Sequence, residues 1–244
     1  MRVLELFSGT GSVGKVCKEL GYEVVSLDLK GADINTDILK WDYTQYAVGH
    51  FDIIWASPPC DTFSHLRKTW YGRKLKCHNG LTFSRELEMK DREEIGLPIL
   101  RQTQDIIDYF KPKLWFIENP KTGSMKDYLS LPFYDVDYCK YSDWGYKKPT
   151  RIWTNKTDFI PLTCKGDCGQ IENGSHRMNM GCSKYVQDGD KVVRVKSKEA
   201  REKYKDYPNI KPNIKGGGNS RNERYRIPID LIKSLIETNN GLPH

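Results

Sequence analysis

Val3-Leu4-Glu5-Leu6-Phe7-Ser8-Gly9-Thr10-Gly11-Ser12-Val13-Gly14, close to the start of the chain, decides how the rest is read. Val3 to Phe7 form a short, apolar, β-favouring run, and Ser8 to Gly14 supply a glycine-rich turn. Val13, Val16, Cys17 and Leu20 then recur at helical spacing until Gly21 ends the segment. The next run, Glu23-Val24-Val25-Ser26-Leu27-Asp28, reads as a strand finishing in a carboxylate roughly twenty residues after the first glycine. In doubly wound α/β sheets an acid there accepts the hydroxyls of a cofactor ribose. Asp37-Ile38-Leu39-Lys40-Trp41-Asp42 falls where a third strand would end, beside an adenine. The spacing Gly-x-Gly-x-x-Gly also suits nucleotide dehydrogenases, but no second dinucleotide half can be traced along the chain.

Two further strands are expected to deliver polar residues to the same edge. Phe51-Asp52-Ile53-Ile54-Trp55 is apolar and β-rich, and Pro58-Pro59 then stop the strand and place Cys60 on a loop. Ile99, Thr103, Ile106, Ile107 and Phe110 mark an amphipathic helix before the strand Leu114-Trp115-Phe116-Ile117, which ends in Glu118-Asn119-Pro120. Ligands of open α/β sheets bind at the carboxyl ends of the strands, so Cys60 and Glu118 are expected to face one crevice. A lone cysteine is more often inert than reactive; a cysteine paired with a carboxylate at a sheet edge has the makings of a nucleophile and an acid.

The chain has 244 residues, a formal net charge of +7 and seven cysteines. That length suits one large domain with a small appended region. No apolar run reaches the roughly 20 residues needed to cross a bilayer, and the acidic opening strand is too short for a secretory signal. An intracellular location is expected, with thiols serving as core, ligand or nucleophile in place of a disulfide framework. The positive charge suits a polyanionic partner as well as plain solubility.

The ordered set Phe7-Ser8-Gly9-x-Gly11, Pro58-Pro59-Cys60 and Glu118-Asn119 resembles the DNA cytosine-5 methyltransferase family. The resemblance extends to Lys148-Pro149-Thr150-Arg151-Ile152-Trp153, and to Gly218-Asn219-Ser220 followed by Ile227-Pro228-Ile229-Asp230-Leu231-Ile232. It implies a Rossmann-like sheet that binds S-adenosylmethionine, with Phe7, Ser8, Gly9, Gly11, Asp28, Leu29, Asp37, Ile38, Pro58, Asn219 and Ser220 around the cofactor. It also implies Cys60 as nucleophile, Glu118 as the acid on ring nitrogen 3, and Arg151 steadying the base or Glu118. The sequence departs from the family pattern at Pro120, Asp61 and the run from Arg221 to Arg226, and it fits compact phage and viral members best.

The implied organisation is a catalytic domain over 1–153, a target-recognition insert over 154–215 and a C-terminal segment over 216–244 that completes the catalytic domain. The implied partner is double-stranded DNA, with no membrane and a monomeric chain. His65 to Lys76 interleave cations with Trp70 and Tyr71, which suits a mobile loop closing over DNA. Lys191 to Lys205 and Lys215-Gly216-Gly217-Gly218 suit backbone contact or a hinge. Within the insert, Cys164, Cys168, His176 and Cys182 are the donor types of a tetrahedral structural zinc in a segment poor in apolar residues. Two rival readings share these residues: an RNA cytosine-5 methyltransferase, whose specificity would lie in the insert, and a catalytically silent DNA-binding relative, which intact Cys60 and Glu118 weigh against.

Overall fold

The protein is described here by a computed structural model covering residues 1–172, 174–177, 184–195, 198–207 and 225–237. β1 (Arg2–Leu6), β2 (Glu23–Asp28), β3 (Ile34–Asn35), β4 (Ile53–Ala56), β5 (Leu114–Pro120), β6 (Phe133–Asp137) and β7 (Pro149–Thr154) form one sheet in the order β3-β2-β1-β4-β5-β7-β6. β1 to β5 pair in parallel, and β7 runs antiparallel to both of its neighbours. The order reverses between β1 and β4, which is where such sheets open a crevice beyond their strand ends.

Both faces of the central strands are covered, so their sequences are continuously apolar and alternate in destination. Val3, Ile53, Trp55, Phe116 and Ile152 pack on one side with α1 (Ser12–Glu19) and the closing helix. Leu4, Leu6, Ile54, Ala56, Ile117 and Trp153 pack on the other with Leu100, Ile106, Ile107 and Phe110. Those last four lie on α3 (Leu97–Phe110), which continues from α2 (Arg85–Asp91) through one wider, π-type turn at Arg92–Gly96.

The α1 N-terminus shows how sequence and packing agree. Gly11 precedes the helix in the left-handed region and offers no side-chain cap. Glu5 of β1 takes that part: its carboxylate accepts the Val13 and Gly14 N–H groups at 3.2 and 3.0 Å. A Cβ on Gly14 would stand 2.6 Å from Glu5 Oε2, so the third glycine of the turn is the residue that lets this contact form.

After β7 the described residues form small units: β8 (Ile171–Glu172) with β9 (Ser175–His176), and β10 (Lys184–Asp188) with β11 (Lys191–Val195), followed by α4 (Lys198–Lys203). Their buried apolar cluster amounts to Val186, Val195 and Tyr204. α5 (Ile229–Ile236) returns to the sheet, burying Leu231, Ile232, Leu235 and Ile236 with Val13, Val16 and Cys17. No helix among the described residues is long and apolar enough to cross a membrane.

Candidate active site

The carboxyl ends of β1 to β5 place the expected residues along one edge. Beyond β1 the backbone turns through left-handed conformations at Phe7 (φ 59°), Gly9 (φ 50°) and Gly11 (φ 65°). Two are glycines, which adopt them freely; Phe7 does so at a cost of order 1–3 kcal/mol, a strain typical of ligand-binding turns. Ser8 N–H reaches Leu27 O on β2 at 3.2 Å. Asp28, ending β2, accepts Gly9 N–H at 2.9 Å and Leu29 N–H at 2.7 Å, which joins the two strand ends. Leu29 is 71% exposed beside it. Asp37 caps the turn Ile38–Lys40 by accepting Leu39 N–H at 3.0 Å, and Asp42 caps the next through Thr44. Ile38 is only 3% exposed and packs with Leu27 and Trp41, so its side chain supports this ledge from within the core. Asn219 and Ser220 lie outside the described residues.

β4 and β5 bring Cys60 and Glu118 together. Ala56 pairs with Ile117, so the loop after β4 lies against the end of β5. Asn119 Nδ2 donates to Pro58 O at 2.8 Å, and Ser124 Oγ donates to Phe63 O at 3.1 Å, which clasp the segment carrying Cys60 from both sides. Glu118 is 6% exposed and accepts the Tyr138 hydroxyl on Oε1 at 3.0 Å. Burial first, then the Glu118 charge, pushes the Tyr138 phenol well above its ordinary value, so it remains a donor. Burial also raises the Cys60 thiol, with Glu118 adding to the effect and Lys148 opposing it. Lys148 Nζ stands 4.5 Å above the Tyr138 ring.

Arg151 departs from expectation. Antiparallel pairing sets Glu118 opposite Ile152 but Asn119 opposite Arg151, so Glu118 and Arg151 leave opposite faces of the sheet. The Arg151 guanidinium forks onto Asp135 at 2.8 and 2.9 Å and stacks over Phe133 at 3.6 Å. Burial works to raise Asp135, yet bonds from Arg151 and Lys121 hold its carboxyl below the usual value. The cation whose charge reaches Cys60 is therefore Lys148, which lay within the quoted segment but carried no distinguishing pattern. Tyr138 was missed as well, since a tyrosine among aromatics reads as core.

The segment after Cys60 is also more built than its basic sequence suggests. Arg67 is buried, paired with Asp91 and set 4.8 Å over the Phe83 ring, so it is not available to a phosphate. His78 also meets Asp91 at 3.1 Å, and Tyr71 donates to Glu88. Lys68, Arg73, Lys74 and Lys76 remain exposed, with Trp70 and Tyr71 partly so.

Beyond β7, Cys164, Cys168 and His176 come together, and Cys139, just beyond β6, joins them. Cys182 lies outside the described residues. No sequence spacing links Cys139 to the others, because β7 intervenes between them.

No family model matches the chain. A protein of Frog virus 3 (isolate Goorha) described as "Probable DNA (cytosine-5)-methyltransferase" is 40% identical over 242 residues, 97% of this chain and 99% of that protein. Among solved structures, a methyltransferase of Entamoeba histolytica superposes with a TM-score of 0.54 at 12% identity, covering 97% of this chain and 96% of its own. DNMT2 of Spodoptera frugiperda covers 70% of this chain and 59% of its own at 16% identity, with a TM-score of 0.40. The Entamoeba comparison agrees with the sheet described above at the level of fold. The viral relative matches across nearly the whole of both chains, and the chain accordingly belongs to the DNA (cytosine-5)-methyltransferase family.

Proposed function

We propose that the protein transfers a methyl group from S-adenosylmethionine to carbon 5 of cytosine in DNA, through a covalent bond between Cys60 and carbon 6 of a base turned out of the helix. The observation that carries this reading is the pairing of Cys60 with a buried Glu118 at one strand edge, the two segments fastened by Asn119 and Pro58. The strand ends fit the cofactor: an added Cβ on Gly9 or Gly11 would meet nothing closer than 3.8 Å, so the turn is open to close approach, and the Asp28 carboxylate can accept ribose hydroxyls. Phe7, Ser8, Gly9, Gly11, Asp28 and Leu29 would hold it, with Asp37 and Pro58 at the margins. When bound, S-adenosylmethionine would supply an electrophilic methyl on its sulfonium, the sulfur departing as a neutral thioether.

Carbon 5 of cytosine is a weak nucleophile, so the site must first raise its electron density. Cys60 gives up its proton to water, and its sulfur forms a bond to carbon 6. Glu118, protonated, donates to ring nitrogen 3 as the ring electrons shift, and Tyr138 on Oε1 orients it so that Oε2 meets the base. Lys148 lowers the cost of the thiolate against burial. Carbon 5, now enamine-like, takes the methyl group. Water, acting as the base, then takes the carbon 5 proton; the double bond re-forms as the sulfur–carbon bond breaks, and ring nitrogen 3 returns its proton to Glu118, which restores the thiolate and the acid. Because Glu118 is buried at the strand edge, the base has to leave its stack to reach it, at a cost of a few kcal/mol.

The test is methyl transfer by the full chain from tritiated cofactor, on duplex DNA and on RNA in parallel. Cys60→Ser should abolish transfer with cofactor affinity within a few-fold of wild type, and DNA carrying 5-fluorocytosine should trap the wild type in an adduct that survives denaturation, since fluorine cannot leave as a proton does. Turnover by Cys60→Ser would refute the nucleophile; transfer to RNA alone would move the substrate.

A further inference from the structure

We propose that Cys139, Cys164, Cys168 and His176 bind one zinc ion, which fastens the segment beyond β7 to the end of β6. The three sulfurs and one ring nitrogen all lie within 4.8 Å of one another. Cys168 Sγ and Cys164 Sγ stand 3.4 and 3.6 Å from His176 Nε2. Zinc bonds of about 2.3 Å to sulfur and about 2.0–2.1 Å to nitrogen, at tetrahedral angles, set sulfur and nitrogen about 3.6 Å apart. The observed separations are thus those of neighbours around one centre. A disulfide would consume two of the sulfurs and leave the third and the imidazole without a role.

The surroundings suit a thiolate-rich centre. Three thiolates and a neutral imidazole around a dication leave one net negative charge. Two lysines flank it: Lys140 Nζ binds Asp167, inside the Cys164–Cys168 turn, at 3.1 Å, and Lys147 Nζ binds the Cys164 carbonyl at 3.0 Å. Gly166, at φ +100°, points its N–H at Cys164 Sγ at 3.4 Å, the outer hydrogen bond that a metal-bound sulfur accepts. Asp137 Oδ2 accepts Cys164 N–H at 2.7 Å, and buried Gln170 donates to Cys139 O at 2.9 Å, so both halves of the site are already fixed.

The fold supplies a need for the ion. Between β7 and α5 the described residues offer two two-stranded sheets, one short helix and a small apolar cluster, too little to hold this segment in place by burial alone. Cys139 directly follows Tyr138, whose hydroxyl holds Glu118, so the ion would also tether the neighbour of the proposed acid.

Elemental analysis of the full chain, purified without chelator, should find about one zinc per chain. Cys139→Ser should fall to near background, while Cys182→Ser and Cys77→Ser retain the metal. A second measurement uses the wild type alone: Cys139, Cys164 and Cys168 should resist alkylation until a strong chelator is added, then react together. Cobalt exchanged into the site should show the charge-transfer absorption of thiolate coordination. Absence of zinc from folded wild type, retention of zinc by Cys139→Ser, or a disulfide among these cysteines would overturn the proposal. None of these readouts involves methyl transfer, so they test the metal separately from the catalytic reading.

Discussion

Replacing Glu5 with glutamine isolates a buried ionisation beneath the glycine turn. Burial raises the Glu5 carboxyl from 4.5 to about 7, against the pull of N–H bonds from Gly14 and Val13 and of the charges on Lys18 and Lys15. Between those two pH values the native state keeps a proton that the unfolded chain has released, so rising pH favours unfolding. A difference of about 2.5 units corresponds to ~3 kcal/mol, fully present below pH 4.5 and lost by the time pH passes about 7. Glutamine has no such proton. Its amide meets two N–H donors with a single oxygen and so shifts stability by a constant amount, which cancels when the two proteins are compared across pH. Urea unfolding of wild type and Glu5→Gln at intervals from pH 5 to pH 8 should show the variant gaining on the wild type by ~2–3 kcal/mol, most of it below pH 7.5. A stability difference constant across that range would refute the reasoning, and would mean that the helix N-terminus holds the carboxylate charged throughout.

Glu118→Gln should lower the methylation rate by roughly 10²-fold or more, the range expected for loss of a general acid, with cofactor affinity preserved by calorimetry. Loss of cofactor binding in that variant would show that Glu118 supports the fold and not the base. Asp28→Ala should weaken cofactor binding while single-turnover methyl transfer at saturating cofactor stays close to wild type; unchanged affinity would remove Asp28 from the cofactor site.

The half of the sheet that begins the chain was legible because its signals are local. Apolar runs, the glycine turn and Gly21 bound β1, α1 and β2 within a few residues, and Pro58-Pro59 mark the end of β4 as plainly. Asp28 ends β2 and Asp37 lies two residues past β3, and Cys60 and Glu118 follow from strands that pair in simple parallel register. What was hidden depends on contacts between segments. Arg151 is claimed by Asp135, sixteen residues earlier, through an antiparallel register that no local pattern encodes. Arg67 reads as a surface cation until Asp91 and Phe83 enclose it. Cys139 is separated from Cys164 by a whole strand, and only the turn after β6 brings it to the other ligand-type residues.

The π-type turn at Arg92–Gly96 carries a consequence for genetic screens. Gly96 lies against Thr62 and Phe63, on the segment that presents Cys60; a methyl group there would fall well inside contact with Thr62 Oγ1 and 3.1 Å from the Phe63 ring. Both side chains are buried, so the strain of an alanine would pass into the loop itself. A search for inactive mutants would then return position 96 alongside Cys60, although its residue contributes no reacting atom. What such a screen detects at that position is the absence of a side chain.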